Sequence, residues 1–141
     1  MTQFVTFKLG AQLFGIDLLR VREVNQVFEI TPVQHARPYI RGLVNLRGQT
    51  VVIFDLGVRL GLKPAVMTEE SHAIVLKDDR VGLLVDGIGD VVQAETTEIE
   101  SSLAHRGGME IPFSKGVIKL KEDLLVVLSA NMIIEQEVGE G

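Results

Sequence analysis

YIRGLVNLRGQTVVIFDL, Tyr39 to Leu56, aligns without gaps on FSKGVIKLKEDLLVVLSA, Phe113 to Ala130. Each reads aromatic, any, basic, glycine, two apolar residues, any, leucine, basic, a turn, four apolar residues and a capping-type residue. Short valine-, isoleucine- and leucine-rich runs bounded by turn signals are strands joined into hairpins. A weaker echo pairs FKLGAQLFGI, Phe7 to Ile16, with IVLKDDRVGL, Ile74 to Leu83, and sets Gly15 opposite Gly82. A hairpin followed by a second hairpin therefore occurs twice, the signature of an internal repeat. Units of about 60–70 residues bury too little surface to be stable alone, so the two copies are expected to pack on each other. The polar link Ala65–Ser71 is the expected boundary between them.

Outside the repeat the signals remain those of an all-β chain. Val5, Phe7 and Leu9 alternate with Phe4, Thr6 and Lys8, the period of a half-buried strand. LVNLR and TVVIF flank Gly48-Gln49, read as a two-residue turn, and AIVL and VGLLV flank KDDR. Helices are expected to be few and short. Asp17 caps either a turn or two through LLRVREV or the entry to a bent strand; Asp55 caps LGVRL, which Gly61 ends; Ser129 caps ANMII. The acidic, then glycine-rich segment Gln93–Pro112 reads as a long mobile loop or a frayed helix.

The 141 residues suit one domain or two small lobes sharing a core, and 46% hydrophobic residues supply the material for it. There is no cysteine, which excludes disulfides, thiolate metal sites and cysteine nucleophiles and suits a cytosolic protein. The net charge of −5 and the scattered lysines and arginines argue against nucleic acid as a partner. No apolar run approaches the ~20 residues of a membrane helix, so no direct membrane insertion is expected.

A search for chemistry finds none. His35, His72 and His105 stand far apart without a second ligand at helical spacing. Asp86 and Asp90 in VDGIGDV would be the carboxylates of a divalent-ion or acid–base site, but no partner accompanies them. The simpler reading makes Asp86-Gly87 a turn, Gly89 a bulge or close approach, and Asp90 a solvated side chain. The glycines of LRGQT and RGGME lack the partners of a phosphate cradle, and no nucleophile elbow occurs. No cofactor or metal is expected, and no enzyme activity. An all-β chain of this kind works by contact, and the apolar residues of VREVNQVFEI (Val21, Val24, Val27, Ile30) are either core or a partner surface.

Taken in order, FGIDLLRVREV, then YIRGLVNLRGQTVVIFDL after a proline, then VGLLVDGIGDVV resemble the CheW-like family of chemotaxis coupling proteins, from Phe4 to about Ile134. The resemblance implies a single domain over 1–141, built of two packed five-stranded SH3-like β-barrels sharing a hydrophobic core, with 135–141 as a flexible tail. It implies a non-catalytic cytoplasmic adaptor recruited to membrane-associated receptor arrays. Its partners would be the regulatory domain of the histidine kinase CheA and the cytoplasmic tip of methyl-accepting chemoreceptors. A member serving another chemosensory pathway, such as pilus motility, and a small-molecule or metal-binding barrel protein using Asp86 and Asp90 are the rival readings.

Carried over residue by residue, Glu23 and Arg47 match an ion pair near the receptor surface, and Val21 matches a receptor-contact position. Val24, Val27 and Val92 are neighbours expected to line the same groove. Arg47 would then sit at the edge of a buried strand, its stem packed and its head paired, while Asn45 bonds nearby backbone. Removal of one member of such a buried pair costs about 3–5 kcal/mol. Ile40, Arg41 and Gly42 match a corner expected to dock the kinase. The sequence departs from the family at Val52, where many relatives have proline, and at Gln34–Arg37, a slightly longer loop.

Overall fold

Residues 1–27, 29–101, 105–106 and 109–135 are described in the structure, a computed structural model. Of the flexible tail expected over 135–141, Glu135 is instead the last residue of a helix, and 136–141 lie outside these residues. In chain order the strands are β1 (Thr2–Leu9), β2 (Gln12–Asp17), β3 (Val21–Gln26), β4 (Ile40–Leu46), β5 (Gln49–Asp55), β6 (His72–Leu76), β7 (Val81–Val85) and β8 (Gly87–Ala94). They continue with β9 (His105–Arg106), β10 (Met109–Glu110), β11 (Ser114–Lys119) and β12 (Leu124–Leu128). Two short helices, α1 (Leu56–Arg59) and α2 (Ala130–Glu135), each follow a hairpin.

The strands form two five-stranded sheets, β11-β12-β2-β1-β8 and β4-β5-β7-β6-β3, with β9 and β10 as a separate pair. Each sheet has the strand order of a small SH3-like barrel, although its edge strands do not pair to close it. The repeat is visible in the register. Gly42 faces Ile53 and Leu43 faces Val52 in one hairpin; Gly116 faces Val127 and Val117 faces Val126 in the other. The parallel joints also correspond, Ile53 beside Gly82 and Val127 beside Gly15. The copies are not, however, the spatial units. Each sheet takes its first hairpin from one copy and its second from the other, so the halves of the chain interlock and Ala65–Ser71 separates nothing.

The apolar runs of the inner strands lack alternation because both faces of those strands are buried. Along β5, Val51 and Ile53 enter one cluster with Val27, Ala65, Ala73 and Leu84, while Phe54 enters the large shared core. Along β12, Leu125 and Val127 join Phe4, Ala94 and Ile118, while Val126 and Leu128 face the shared core. Each barrel thus has its own interior, and Phe7, Phe14, Ile16, Ile74, Leu76 and Leu83 lie with Phe54 in the core between them. β1 is more deeply buried than its alternation predicts: Phe4 and Thr6 are also inside. The Thr6 hydroxyl donates to the carbonyl of Asp90.

Several local expectations need adjusting. The β4–β5 turn is Arg47-Gly48, one residue earlier than read, with φ of 51° and 81° and Leu46 opposite Gln49. Two successive positive φ angles are those of a type I′ turn, whose twist suits a hairpin. The ungapped echo aligns β2 with β7 correctly but misplaces the preceding strand. Val5 faces Ile16 as Ile74 faces Leu83, because β1–β2 turns more tightly than β6–β7. Asp17 caps only a three-residue 3-10 turn, Leu18–Arg20, before β3 begins. The other two caps form as expected. Asp55 Oδ1 accepts from the Val58 N–H at 3.2 Å, and Ser129 Oγ from the Met132 N–H at 3.2 Å. Within Gln93–Pro112 the described residues are largely ordered elements: the end of β8, a 3-10 turn at Thr96–Glu98, a bridge from Glu100 to Val117, and β9 with β10.

Candidate functional site

β3 is an edge strand, and its side chains divide by face. Arg22, Val24 and Gln26 are exposed, whereas Val21 is in the shared core and Val27 lies beneath the sheet among Val51, Ile53 and Ala73. Val24 sits opposite Ile74, which in turn faces Leu83. Residues directly opposite share a face, so Val24 continues the shared core outward to solvent.

The duplicated architecture places a counterpart on β8, the edge strand of the other sheet. Val91 sits opposite Val5, which faces Ile16, and Ile88 sits opposite Phe7. Val24, Ile88 and Val91 are 37%, 37% and 50% exposed, large values for side chains in register with a core. Each continues the inter-barrel core to solvent at the edge of its own sheet. The sequence reading missed Ile88 and Val91 because it treated VDGIGDV as a strand end. Their spacing of three would set them on opposite faces of a regular strand; the register shift in the β1–β8 pairing brings both opposite core residues.

Val92 does not belong with Val24. It lies opposite Phe4 and packs into the interior cluster of its own barrel, so the expected groove of Val24, Val27 and Val92 is not a continuous surface. Val21 contributes as a floor, buried to 8% exposure.

Next to Val24 the expected ion pair is formed. Arg47 Nη1 donates to Glu23 Oε2 at 3.0 Å, joining the β4–β5 turn to β3. The expected burial of Arg47 is not. Its side chain is 78% exposed, because the type I′ turn lifts it off the sheet, while that of Glu23 is 17% exposed. Asn45 is exposed, and its Oδ1 accepts from the Gly48 N–H at 3.0 Å, holding the turn. Arg22 adds to the cluster, its Nε 3.6 Å from Glu23 Oε2 and its Nη1 donating to Gln49 Oε1 at 3.2 Å. Glu23 Oε1 and Asn25 Oδ1 are buried with no hydrogen-bond partner among the described residues. The site is thus exposed apolar residues at each sheet edge, Val24 on β3 and Ile88 with Val91 on β8, and a polar cluster of Glu23, Asn25, Arg22 and Arg47 at β3. Glu23 and Asn25 take the opposite face of the strand from Val24.

Ile40, Arg41 and Gly42 are less accessible than a docking corner would be. Ile40 packs on the shared core and Gly42 is buried. Arg41 Nη1 donates to Asp55 Oδ2 at 2.8 Å and to the Ala65 carbonyl at 3.0 Å. The Asp55 carboxylate, 2% exposed, also accepts from the Ala65 N–H at 3.1 Å. Arg41 and Asp55 therefore clasp the segment after α1 against β4. Gly42 has φ of 148°, and a Cβ there would meet the Thr31 carbonyl oxygen at 2.1 Å. At Val52, where the family often has proline, the N–H donates to the Arg80 carbonyl at 2.8 Å.

Asp86 is occupied structurally, its Oδ2 accepting from the Gly10 N–H at 2.7 Å where the chain crosses from β7 to β8. The nearby cleft, of about 980 Å³, runs between the β1–β2 turn and the strap Gly61–Glu70. Among the described residues no three His, Cys, Asp or Glu side chains gather as metal ligands. No helix among them is long and apolar enough to cross a membrane.

The family profile described as the CheW-like domain matches residues 3–138. The chain belongs to the CheW-like family. It is 30% identical over 140 residues to "Chemotaxis protein CheW" of Rhizobium meliloti (strain 1021), covering 98% of this chain and 90% of that one. It is 28% identical over 140 residues to the protein of the same name from Bacillus subtilis (strain 168), with the same two coverages, 98% and 90%. Among solved structures it resembles the scaffolding protein TtCheW from Thermoanaerobacter tengcongensis with a TM-score of 0.83 and 25% identity, over 94% of this chain and 86% of that one. As a member of this family the chain is a chemotaxis coupling adaptor.

Proposed function

We propose that this chain joins the cytoplasmic tip of a methyl-accepting chemoreceptor to the regulatory domain of the histidine kinase CheA, without chemistry of its own. The observation that carries the reading is a divided apolar strip, exposed Val24 at one sheet edge and Ile88 with Val91 at the other, each continuing the shared core to solvent, with the Glu23–Arg47 pair on the other face of β3. A helical hairpin presents apolar side chains at i, i+3 and i+4, and a strip of this kind accepts them. The polar cluster at β3 supplies register, because a wrongly seated helix would leave charges unpaired. The kinase would dock on the corner shaped by Arg41 and Gly42, which act by placing the backbone around Thr31 and Ala65 rather than by touching the partner. Receptor conformation would then bias kinase activity as a coupling free energy between two docking sites. The working location is the cytoplasm, at receptor arrays.

The test measures binding of the purified chain to a receptor-tip hairpin and to the CheA regulatory domain. Val24→Asp and Val91→Asp each place a charge in the strip and are expected to weaken receptor-tip binding at least tenfold while leaving kinase binding within twofold. Unchanged receptor binding in both variants would refute the assigned surface.

A further inference from the structure

The two barrels meet through an apolar core, and apolar packing has no strong directional preference. A directional contact between them is made by Arg59, at the end of α1. Its Nε and Nη2 donate to the carbonyl of Ile133 in α2 at 3.0 and 2.6 Å. Its guanidinium lies 4.3 Å from the centroid of the Tyr39 ring and 4.7 Å from that of Phe113. These partners are related. Tyr39 and Phe113 open the second hairpin of each copy of the repeat, and continuing the same alignment past Leu56 and Ala130 sets Arg59 on Ile133. One side chain therefore occupies the place where equivalent points of the two barrels come together, and only one copy supplies it. The carbonyl it takes belongs to the last turn of α2, where helix carbonyls lack intrahelical donors. A second contact between the barrels runs from Arg20, before β3, to Asn131 of α2.

We infer that Arg59 is the lock that fixes the angle between the two barrels, and so positions Val24 on one relative to Ile88 and Val91 on the other. A planar fork is required, since the guanidinium must face aromatic rings and deliver two N–H groups to one oxygen at once. An ammonium at this place would keep the charge but lose the two-donor contact. The effect on receptor docking rests on the proposed function; the lock itself does not.

The chain has no cysteine, so spin labels can be placed at will. One pair, Lys8→Cys with Thr50→Cys, spans the two sheets, and a control pair, Thr50→Cys with Lys77→Cys, lies within one. Dipolar distance distributions are measured for both pairs with Arg59, Arg59→Lys and Arg59→Met. The expected result is a broadened inter-sheet distribution in Arg59→Met, an intermediate width in Arg59→Lys, and an unchanged control pair. An inter-sheet width in Arg59→Met equal to that of the parent overturns the inference, and so does equal broadening of both pairs, which would make Arg59 a general stabiliser. If Arg59→Met fails to fold, Arg59→Lys decides by the same criterion. Receptor-tip affinity of Arg59→Lys is expected to fall about three- to tenfold with kinase binding unchanged. A parent chain that binds no receptor tip would remove the proposed function and leave the distance result standing.

Discussion

Arg47 sits on a type I′ turn with most of its side chain in water, and its ion pair with Glu23 crosses from one hairpin to an edge strand. Exposed pairs of this sort contribute at most about 1 kcal/mol. Arg47→Ala is therefore expected to change unfolding free energy by less than about 1 kcal/mol in urea titration while weakening receptor-tip binding, which separates a docking residue from a structural one. Asp55 is the opposite case: a carboxylate that is buried, with Arg41, Val58 N–H and Ala65 N–H all donating to it. Asp55→Ala orphans these donors and is expected to cost about 3–5 kcal/mol, read as a fall of the denaturation midpoint. The resemblance to the family implied the Glu23–Arg47 pair and the Asn45 contact. It did not disclose that Arg47 is exposed, because that depends on which two residues form the turn. Nor did it reveal Arg41 as a clasp, because its partners Asp55 and Ala65 are remote in sequence.

Each second hairpin enters with a β-bulge at an aligned glycine, Gly42 and Gly116, with φ of 148° and 134°. At both, a neighbouring segment lies where a side chain would be: Thr31 over Gly42, and Ile99 to Ser101 over Gly116. The bridges Thr31–Leu43 and Glu100–Val117 stand at the same point of the two copies. Gly42→Ala is expected to displace the Thr31 bridge and lower stability by about 1–3 kcal/mol, visible as faster amide exchange at Leu43. The hairpins, the two full caps and the all-β class were legible, since turn chemistry and strand composition are local. The elements of Gln93–Pro112 were not, because their order comes from contacts with β11 and the barrel interior rather than from their own acidic, glycine-rich composition.

At the scale of the molecule, the repeat announced two similar sheets but not their exchange of hairpins. Sequence similarity between copies cannot say whether a strand pairs within its own copy or with the other, since the apolar faces offered are alike. The exchange has a measurable result. Fragments 1–68 and 69–141 each supply one hairpin to each sheet, so each alone leaves both sheets half built. Each fragment is expected to be unfolded by circular dichroism, and the equimolar mixture to regain β structure and cooperative melting. A fragment that folds alone would contradict the interlocked topology.

The pairing of β12 with β2, Leu125 to Val127 beside Leu13 to Gly15, sets when the molecule can be finished. On the ribosome the β1–β2 hairpin must wait with the edge of β2 uncovered until β12, more than a hundred residues later, has been synthesised. Contacts so distant in sequence slow folding, since the loop must close before its pairing is gained. A protein assembled in this order completes its first sheet last, and during translation that open edge is where a chaperone would have reason to bind.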